Sequence, residues 1–219
     1  MRIITTVASL HGQSAEHYKM CVSLGPVAHV EVKAESNVAA ARNRCLTAVA
    51  RHLDWDVCLM LDDDVFMSPN DARDLCGYAM IRKRPVSALY PTSAGDVRIR
   101  FAVDPEEPRQ ALELTGLGAL AIPREVLIRR AEGLRYLDVQ NGKLLQAFTK
   151  SAPAPCGTEW WNEDAWLCYG LGGVEISKSY TAKHLKGRML ELSEQAHIDM
   201  LEQIQQAKLL FLDKEHSRQ

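Results

Sequence analysis

Three consecutive aspartates, Asp62, Asp63 and Asp64, follow directly on the apolar run VCLML at 57–61. Carboxylates this close repel one another and resist burial, so the run needs a cation, a set of hydrogen-bond donors or open water to compensate it. If the backbone stays extended, Asp62 and Asp64 point to one side and Asp63 to the other. Two oxygens on one side suit a hard cation such as Mg²⁺ or Mn²⁺, which takes one or two carboxylates and completes its shell with waters and phosphate oxygens. A solvated turn is the plainer reading of the same residues. An EF-hand loop is excluded, because counting from Asp62 its fifth and sixth places hold Phe66 and Met67 instead of an oxygen ligand and a glycine. A phosphatase of the aspartyl-phosphate type fits poorly, since Val65 and Phe66 stand where a Ser or Thr should follow the acids.

Further along, TEWWNEDAWLCYGLGG carries the adjacent acids Glu163 and Asp164, and TAKHLKGR carries His184, Lys186 and Arg188. A carboxylate such as Asp164 within hydrogen-bond reach of a hydroxyl acts as general base, although two acids in the first turn of a helix also simply favour its dipole. His184 reads either as a satisfied histidine or as a metal contact, with Lys186 and Arg188 adding positive charge beside it. Trp160 and Trp161 offer an aromatic platform, and one of the two is expected in the core. Gly116 and Gly118, in TGLGAL, leave room for a ligand to approach the backbone or mark a β-bulge.

The elements that must hold these residues are legible from periodicity. Residues 2–8 (RIITTVA) are β-branched and read as a strand running into the loop around Ser9, and 27–33 (VAHVEVK) alternate as a second. From Ser36 to about Leu53 the spacing of Val38, Ala41, Cys45, Ala48 and Val49 is helical. DVCLMLD is continuously apolar, as expected of a strand buried on both faces of a largely parallel sheet. A helix opening at Ser68-Pro69 and a strand in PVSALYPT follow. VRIRFAVD and ALELTGLGALAIP are expected to pair as strands, DPEEP to turn, REVLIRRAEGL to form a short helix, and SAPAPCG to be a loop. TEWWNEDAWLCYGLGG reads as a helix ended by Gly172 and Gly173, and VEISKSYTAKHLKG as a last strand. Alternating strands and helices predict an α/β fold with a Rossmann-like, mostly parallel central sheet flanked by helices. Ligands of such sheets bind beyond the carboxyl ends of the strands, where the three acids fall.

The ordered set AAARNRCL, LMLDDDVFMSP, YPT, GLGALAIPREVL, NEDAWLCYGLGG and TAKHLKG resembles glycosyltransferases of the GT-A fold, the nucleotide-sugar-dependent class, in their small single-domain form, over roughly residues 2–188. The resemblance implies that Asp62-Asp63-Asp64 stands for that class's D-x-D, with Asp64 on a Mn²⁺ or Mg²⁺ ion and Asp62 or Asp63 near the donor ribose or the metal. It implies a third metal contact at His184, so that the metal set is Asp62, Asp64 and His184. Asp164 becomes the general base of an inverting reaction, with Glu163 orienting the acceptor. Ser9, Arg42, Asn43, Lys186 and Arg188 fall beside the donor nucleotide, and Trp160, Trp161 and Gly118 beside the acceptor. The chain departs in its first loop, ASLHG, where a Pro-Thr is common, and in Asn162, where Thr is frequent.

The expected partners are thus a nucleotide-sugar donor and an acceptor that is a glycan, a protein, a lipid-linked sugar or a modified nucleic-acid base. Two alternatives share the strand-end acids: a nucleotidyltransferase making a nucleotide sugar, for which SLHGQS is a poor Gly-rich loop, and a non-catalytic metal- or nucleotide-binding module. With 219 residues, 47% of them hydrophobic, the chain can bury a full core, and a net charge of −2 argues against an obligate nucleic-acid binder. Cys21, Cys45, Cys58, Cys76, Cys156 and Cys168 form no C-x-x-C pair and sit mostly in apolar segments, so reduced core thiols and a cytoplasmic location are expected. No run is long enough for a signal peptide or a membrane span. Residues 1–188 are expected to form the catalytic domain. The remainder, 189–219, is expected to be an amphipathic helical extension over 189–213 that packs on the domain, with a homodimer contact as the alternative.

Overall fold

The apolar run before the acids is the centre of a six-stranded sheet. The structure is a computed structural model that describes residues 1–219 apart from 10, 34–36, 92–98, 106, 108–109, 135, 140–142, 156–158, 187–188 and 218–219. The chain begins with β1 (Ile3–Ser9), α1 (Ala15–Ser23), β2 (Ala28–Lys33), α2 (Val38–Arg51), β3 (Val57–Asp62), β4 (Val65–Phe66), α3 (Pro69–Arg82) and β5 (Val86–Leu89). An antiparallel pair, β6 (Ile99–Val103) and β7 (Ala111–Thr115), leads to β8 (Ala119–Pro123) and α4 (Arg124–Glu132). Two short antiparallel pairs follow, β9 (Tyr136–Val139) with β10 (Lys143–Gln146) and β11 (Ala152–Pro153) with β12 (Trp160–Trp161). The last elements are α5 (Glu163–Gly170), β13 (Glu175–Thr181), β14 (Lys183–Leu185), β15 (Met189–Leu190) and α6 (Glu194–His216).

The sheet runs β13-β5-β8-β3-β1-β2, and β8 alone is antiparallel to its neighbours. Period-two alternation divides β1 and β3 between two cores: Ile4, Cys58 and Met60 face the α2 and α4 side, and Ile3, Val7, Leu59 and Leu61 face α3. Both faces are therefore covered, and every residue from Val57 to Leu61 is buried. This is the α/β, mostly parallel, helix-flanked arrangement that the alternating elements predicted. Cys21, Cys45, Cys58, Cys76 and Cys168 are free and buried within it, and burial pushes the Cys21, Cys45, Cys76 and Cys168 thiols up to about 12. Cys156 lies outside the described residues. No helix among the described residues is long and apolar enough to cross a membrane.

Several boundaries differ from the expected ones. α1 was not foreseen; it buries only His17 and Cys21, too few residues for a readable stripe, and is set by the Ser14 cap, whose side chain accepts from the His17 amide. The expected helix through the tryptophans begins only at Glu163, because Asn162 caps it by accepting from the Ala165 amide at 3.2 Å, which leaves Trp160 and Trp161 extended in β12. Gly172 and Gly173, at φ 80° and 84°, end that helix as expected. The expected last strand breaks after Thr181, and β14 leaves the main sheet to pair with β4 and β15. α6 starts later than expected, at the Ser193 cap, and lies against β6 and β7, with Phe211 on Phe101 at 5.9 Å and Lys208 Nζ on Glu113 Oε1 at 2.7 Å.

α2 is tied to the segment before α5 by one side chain. Buried Asn43 donates to the Thr149 carbonyl at 3.0 Å and accepts from the Thr149 amide at 2.9 Å, as a strand neighbour would. Asn43→Ala leaves two buried backbone groups unpaired and is expected to cost about 2–4 kcal/mol, read as a lowered urea midpoint at unchanged m-value.

Candidate active site

The strand termini converge on one edge of the sheet. β1 ends at Ser9, β3 at Asp62 and β5 at Leu89, just before Tyr90, while antiparallel β8 begins at Ala119, opposite Leu61. Asp63 and Asp64 occupy the turn between β3 and β4, so strand alternation stops at Asp62 and does not place Asp62 and Asp64 on one side. Each acid has its own partner. The Asp63 carboxylate accepts from Ser9 Oγ, Asp62 accepts from Arg42 Nη2 at 3.0 Å, and Asp64 Oδ2 lies 2.6 Å from Lys186 Nζ and 3.3 Å from His184 Nε2.

β14 delivers the last two groups. Its pairing with β4 sets His184 opposite Val65, and the Leu185 amide donates to the Asp64 carbonyl at 2.8 Å. His184 is buried, stands edge-on to Tyr90, and shares a 2.7 Å hydrogen bond between Nδ1 and the Pro91 carbonyl. A carbonyl only accepts, so Nδ1 carries the proton. In the neutral ring Nε2 then presents a lone pair towards the Asp64 carboxylate. The Lys186 ammonium balances the Asp64 carboxylate in the structure, and the 3.3 Å between Nε2 and Oδ2 is close to the ~3 Å expected of adjacent ligands on a six-coordinate ion bound at about 2.1 Å. Asp64 and His184 therefore fit a Mg²⁺ or Mn²⁺ site in which water and substrate oxygens supply the other positions. Asp62 is directed to Arg42 instead, and among the described residues no group of three or more His, Cys, Asp or Glu side chains is placed to hold an ion by itself. Arg188 lies outside the described residues.

Arg42 organises the other half of the site. The residue is 4% exposed, and its guanidinium reaches Asp62 at the end of β3 and both acids at the start of α5, bonding Asp164 and lying 3.3 Å from Glu163 Oε1. Burial alone would lower its pKa, but Asp164, Asp62 and Glu163 outweigh that cost and keep it charged. One cation cannot neutralise three carboxylates. Burial pushes Asp164 up to about 6; the charges of Asp62 and Glu163 add to the rise, and Arg42 opposes it. Asn43, expected beside the nucleotide, has its amide committed to Thr149 and acts as a clamp.

A cavity of about 250 Å³ opens beside this cluster, lined by Tyr90, Arg100, Thr115, Asn162, Asp164 and His184 among others. That is slightly below the about 300–1,000 Å³ of sites for drug-sized ligands, so it suits one small ring. Gly116 and Gly118 lie against the Tyr90 ring: a Cβ at Gly116 would meet Tyr90 Oη at 2.4 Å, and one at Gly118 would meet Tyr90 Cζ at 2.6 Å. The glycines admit the Tyr90 ring, whose hydroxyl accepts from the Gly118 amide at 3.1 Å. Trp161 is buried against Trp166 and Tyr169, while Trp160 is 64% exposed. Tyr90, Arg100 and the Pro91 carbonyl had no assigned role in the sequence, where only the segment YPT marked two of them.

No protein-family model and no curated protein matches the chain. Among solved structures, A197 from STIV shares the arrangement over 89% of this chain and 96% of its own, at 16% identity and a TM-score of 0.53, a likeness that shows the fold alone. CMP:2-keto-3-deoxy-manno-octonic acid synthetase complexed with CTP overlaps 81% of this chain and 89% of its own at 14% identity and a TM-score of 0.46. Glucosyl-3-phosphoglycerate synthase from Mycobacterium tuberculosis, in complex with Mn²⁺, UDP-glucose and phosphoglyceric acid, overlaps 96% and 79% at 14% identity and a TM-score of 0.43. Likenesses as loose as the last two carry no argument about chemistry.

Removing the guanidinium strands its three carboxylates. Arg42→Met is expected to destabilise the fold by about 3–5 kcal/mol. Acids held above their unfolded pKa lose stability as pH rises through that window, so the deficit is expected to be larger at pH 8 than at pH 5 in denaturant titrations.

Proposed function

We propose that the protein is a metal-dependent glycosyltransferase that moves a sugar from a nucleoside-diphosphate donor to an acceptor hydroxyl with inversion. The observation that carries this reading is that one small cavity is walled by both Asp164, a carboxyl lifted towards neutrality, and His184, half of a pair fitted to a divalent cation.

In this reading the acceptor hydroxyl enters the cavity and loses its proton to Asp164. The new bond forms between the acceptor oxygen and the anomeric carbon, while the bond to the diphosphate breaks and its electron pair leaves with the nucleotide. A single attack opposite the leaving group inverts the centre. A Mn²⁺ or Mg²⁺ ion held by Asp64 and His184 would neutralise charge growing on the leaving diphosphate. Lys186 is free to exchange Asp64 for a phosphate oxygen, since it is 42% exposed. Asp63, which accepts from Ser9 at the end of β1, would bind the donor ribose. Arg42 holds Asp164 and Glu163 against the end of β3, and burial of Asp164 keeps its proton affinity close to working pH, where a general base is most effective.

A base must be ionised to act, so kcat/KM is expected to rise with pH through about 6 and then level off, falling about tenfold per unit on the acid side. Asp164→Asn is expected to remove that limb and lower kcat by about 10²–10⁴-fold without loss of nucleotide binding. A panel of nucleotide sugars with Mn²⁺ should contain one that raises the melting temperature of the wild type but not of Asp64→Ala. Full transfer activity in Asp64→Ala at normal metal levels, or pyrophosphate release from a nucleoside triphosphate and a sugar phosphate, would overturn the proposal, the latter in favour of nucleotidyl transfer.

A further inference from the structure

Arg100 borders two recesses at once. On one side it lines the cavity of Asp164 and His184; on the other it lines an open depression of about 580 Å³ with Phe101, Glu159, Trp160 and Phe211. Resting on the glycosyl-transfer reading, we propose that this depression continues the acceptor site and holds the further rings of an oligosaccharide, with Trp160 as its platform and α6 as its far wall.

The platform is built rather than incidental. β12 pairs with β11, with Trp160 opposite Pro153 and Trp161 opposite Ala152. Strand alternation then sends one indole into the core and the other outward, which leaves Trp160 64% exposed on a backbone paired with β11. An exposed indole on a fixed strand presents a large face at little entropic cost to whatever covers it. Phe211 brings a second aromatic ring from α6, tilted against Phe101 of β6 at 5.9 Å, and the Lys208–Glu113 ion pair fixes that helix one turn away.

The charges select the ligand. Arg100 Nη1 donates to the Trp160 carbonyl at 3.4 Å and lies 3.6 Å from Glu159 Oε2, so the shelf carries one cation and one carboxylate with no net charge. Sugar hydroxyls, which donate and accept, match such a pair, and the C–H face of a pyranose matches the negative face of an aromatic ring. A phosphodiester chain would gain from Arg100 but meet Glu159, and it would lack the run of cations that single-strand grooves use. The enclosed cavity has room for the reacting ring and the open depression for those behind it. An acceptor longer than one sugar follows from that division, and α6 becomes part of its binding surface.

The test is a tryptophan-fluorescence titration of the full chain with neutral glucan, mannan and chitin oligosaccharides of increasing length, beside calorimetric titration of UDP and GDP with Mn²⁺. Trp55 and Trp161 are buried and Trp166 is half-buried, which makes Trp160, the most exposed of the four, the main reporter. Quenching by one series with affinity that grows with chain length is expected. Trp160→Ala should weaken binding of that series about tenfold, measured by calorimetry, while Trp160→Phe, which keeps an aromatic face, should retain most of it. Thermal melts of both variants confirm that they are folded. Nucleotide binding without length-dependent glycan binding, glycan binding indifferent to Trp160→Ala, or tighter binding of a single-stranded oligonucleotide would each overturn this inference while leaving glycosyl transfer standing. Failure of every nucleotide to bind would overturn both.

Discussion

A buried guanidinium surrounded by three carboxylates is the interaction on which the site depends. Arg42 comes from α2, Asp62 from the end of β3, and Glu163 and Asp164 from the start of α5, so one side chain fixes the relative positions of elements more than a hundred residues apart. Desolvating a charge is costly, and the arrangement persists because the guanidinium meets acids on two of its nitrogens at once. The excess of negative charge has a consequence beyond stability. With one cation for three acids, Asp164, half-buried and lining the cavity, has its pKa raised to about 6.

The other half of the site is governed by a change of direction in the chain. β13 ends the main sheet at its edge, and β14 then turns to pair with the two-residue strand that follows the acids. That small sheet sets the imidazole and Lys186 over Asp64, while the Pro91 carbonyl decides which imidazole nitrogen is left to face it. Tyr90 fills the space between the two halves, and the absence of side chains at Gly116 and Gly118 is what lets its ring sit there. The cavity is thus a gap between two parts of the fold, one held by Arg42 and one by β14. α6, which looks like an appendage in the sequence, packs across β6 and β7, and its Phe211 lines the depression on the other side of Arg100.

Much of this was legible before the fold was known. A buried parallel strand ending in acids, a helix opening at Ser68-Pro69, and the stop at Gly172-Gly173 each rest on local chemistry, which is why they hold: continuous apolarity, a pre-set φ at the first helical position, and a left-handed φ that glycine tolerates. α1 escaped notice because it buries two residues only, and the start of α5 was misplaced because the Asn162 cap outranks the helical look of the preceding tryptophans. Asn43, which the resemblance set beside the donor nucleotide, is a buried clamp on Thr149, a partner on a distant segment that local pattern does not reveal.

By itself the sequence determined the inventory and the place: an α/β chain, acids at the carboxyl end of a buried strand, a second acid pair at a helix start, and a histidine with lysine on a late segment. Those follow from hydrophobic period and from the intolerance of buried strands for charge, which are local properties. Only the tertiary structure decided the pairing, because it depends on which strand ends meet. Alternation in an ideal strand would have joined Asp62 to Asp64, but the strand stops at Asp62, and the next two acids turn away on a bend. Asp62 then goes to the guanidinium, Asp63 to the end of β1, and Asp64 to the imidazole, each to the partner that the crossing of strands places within reach.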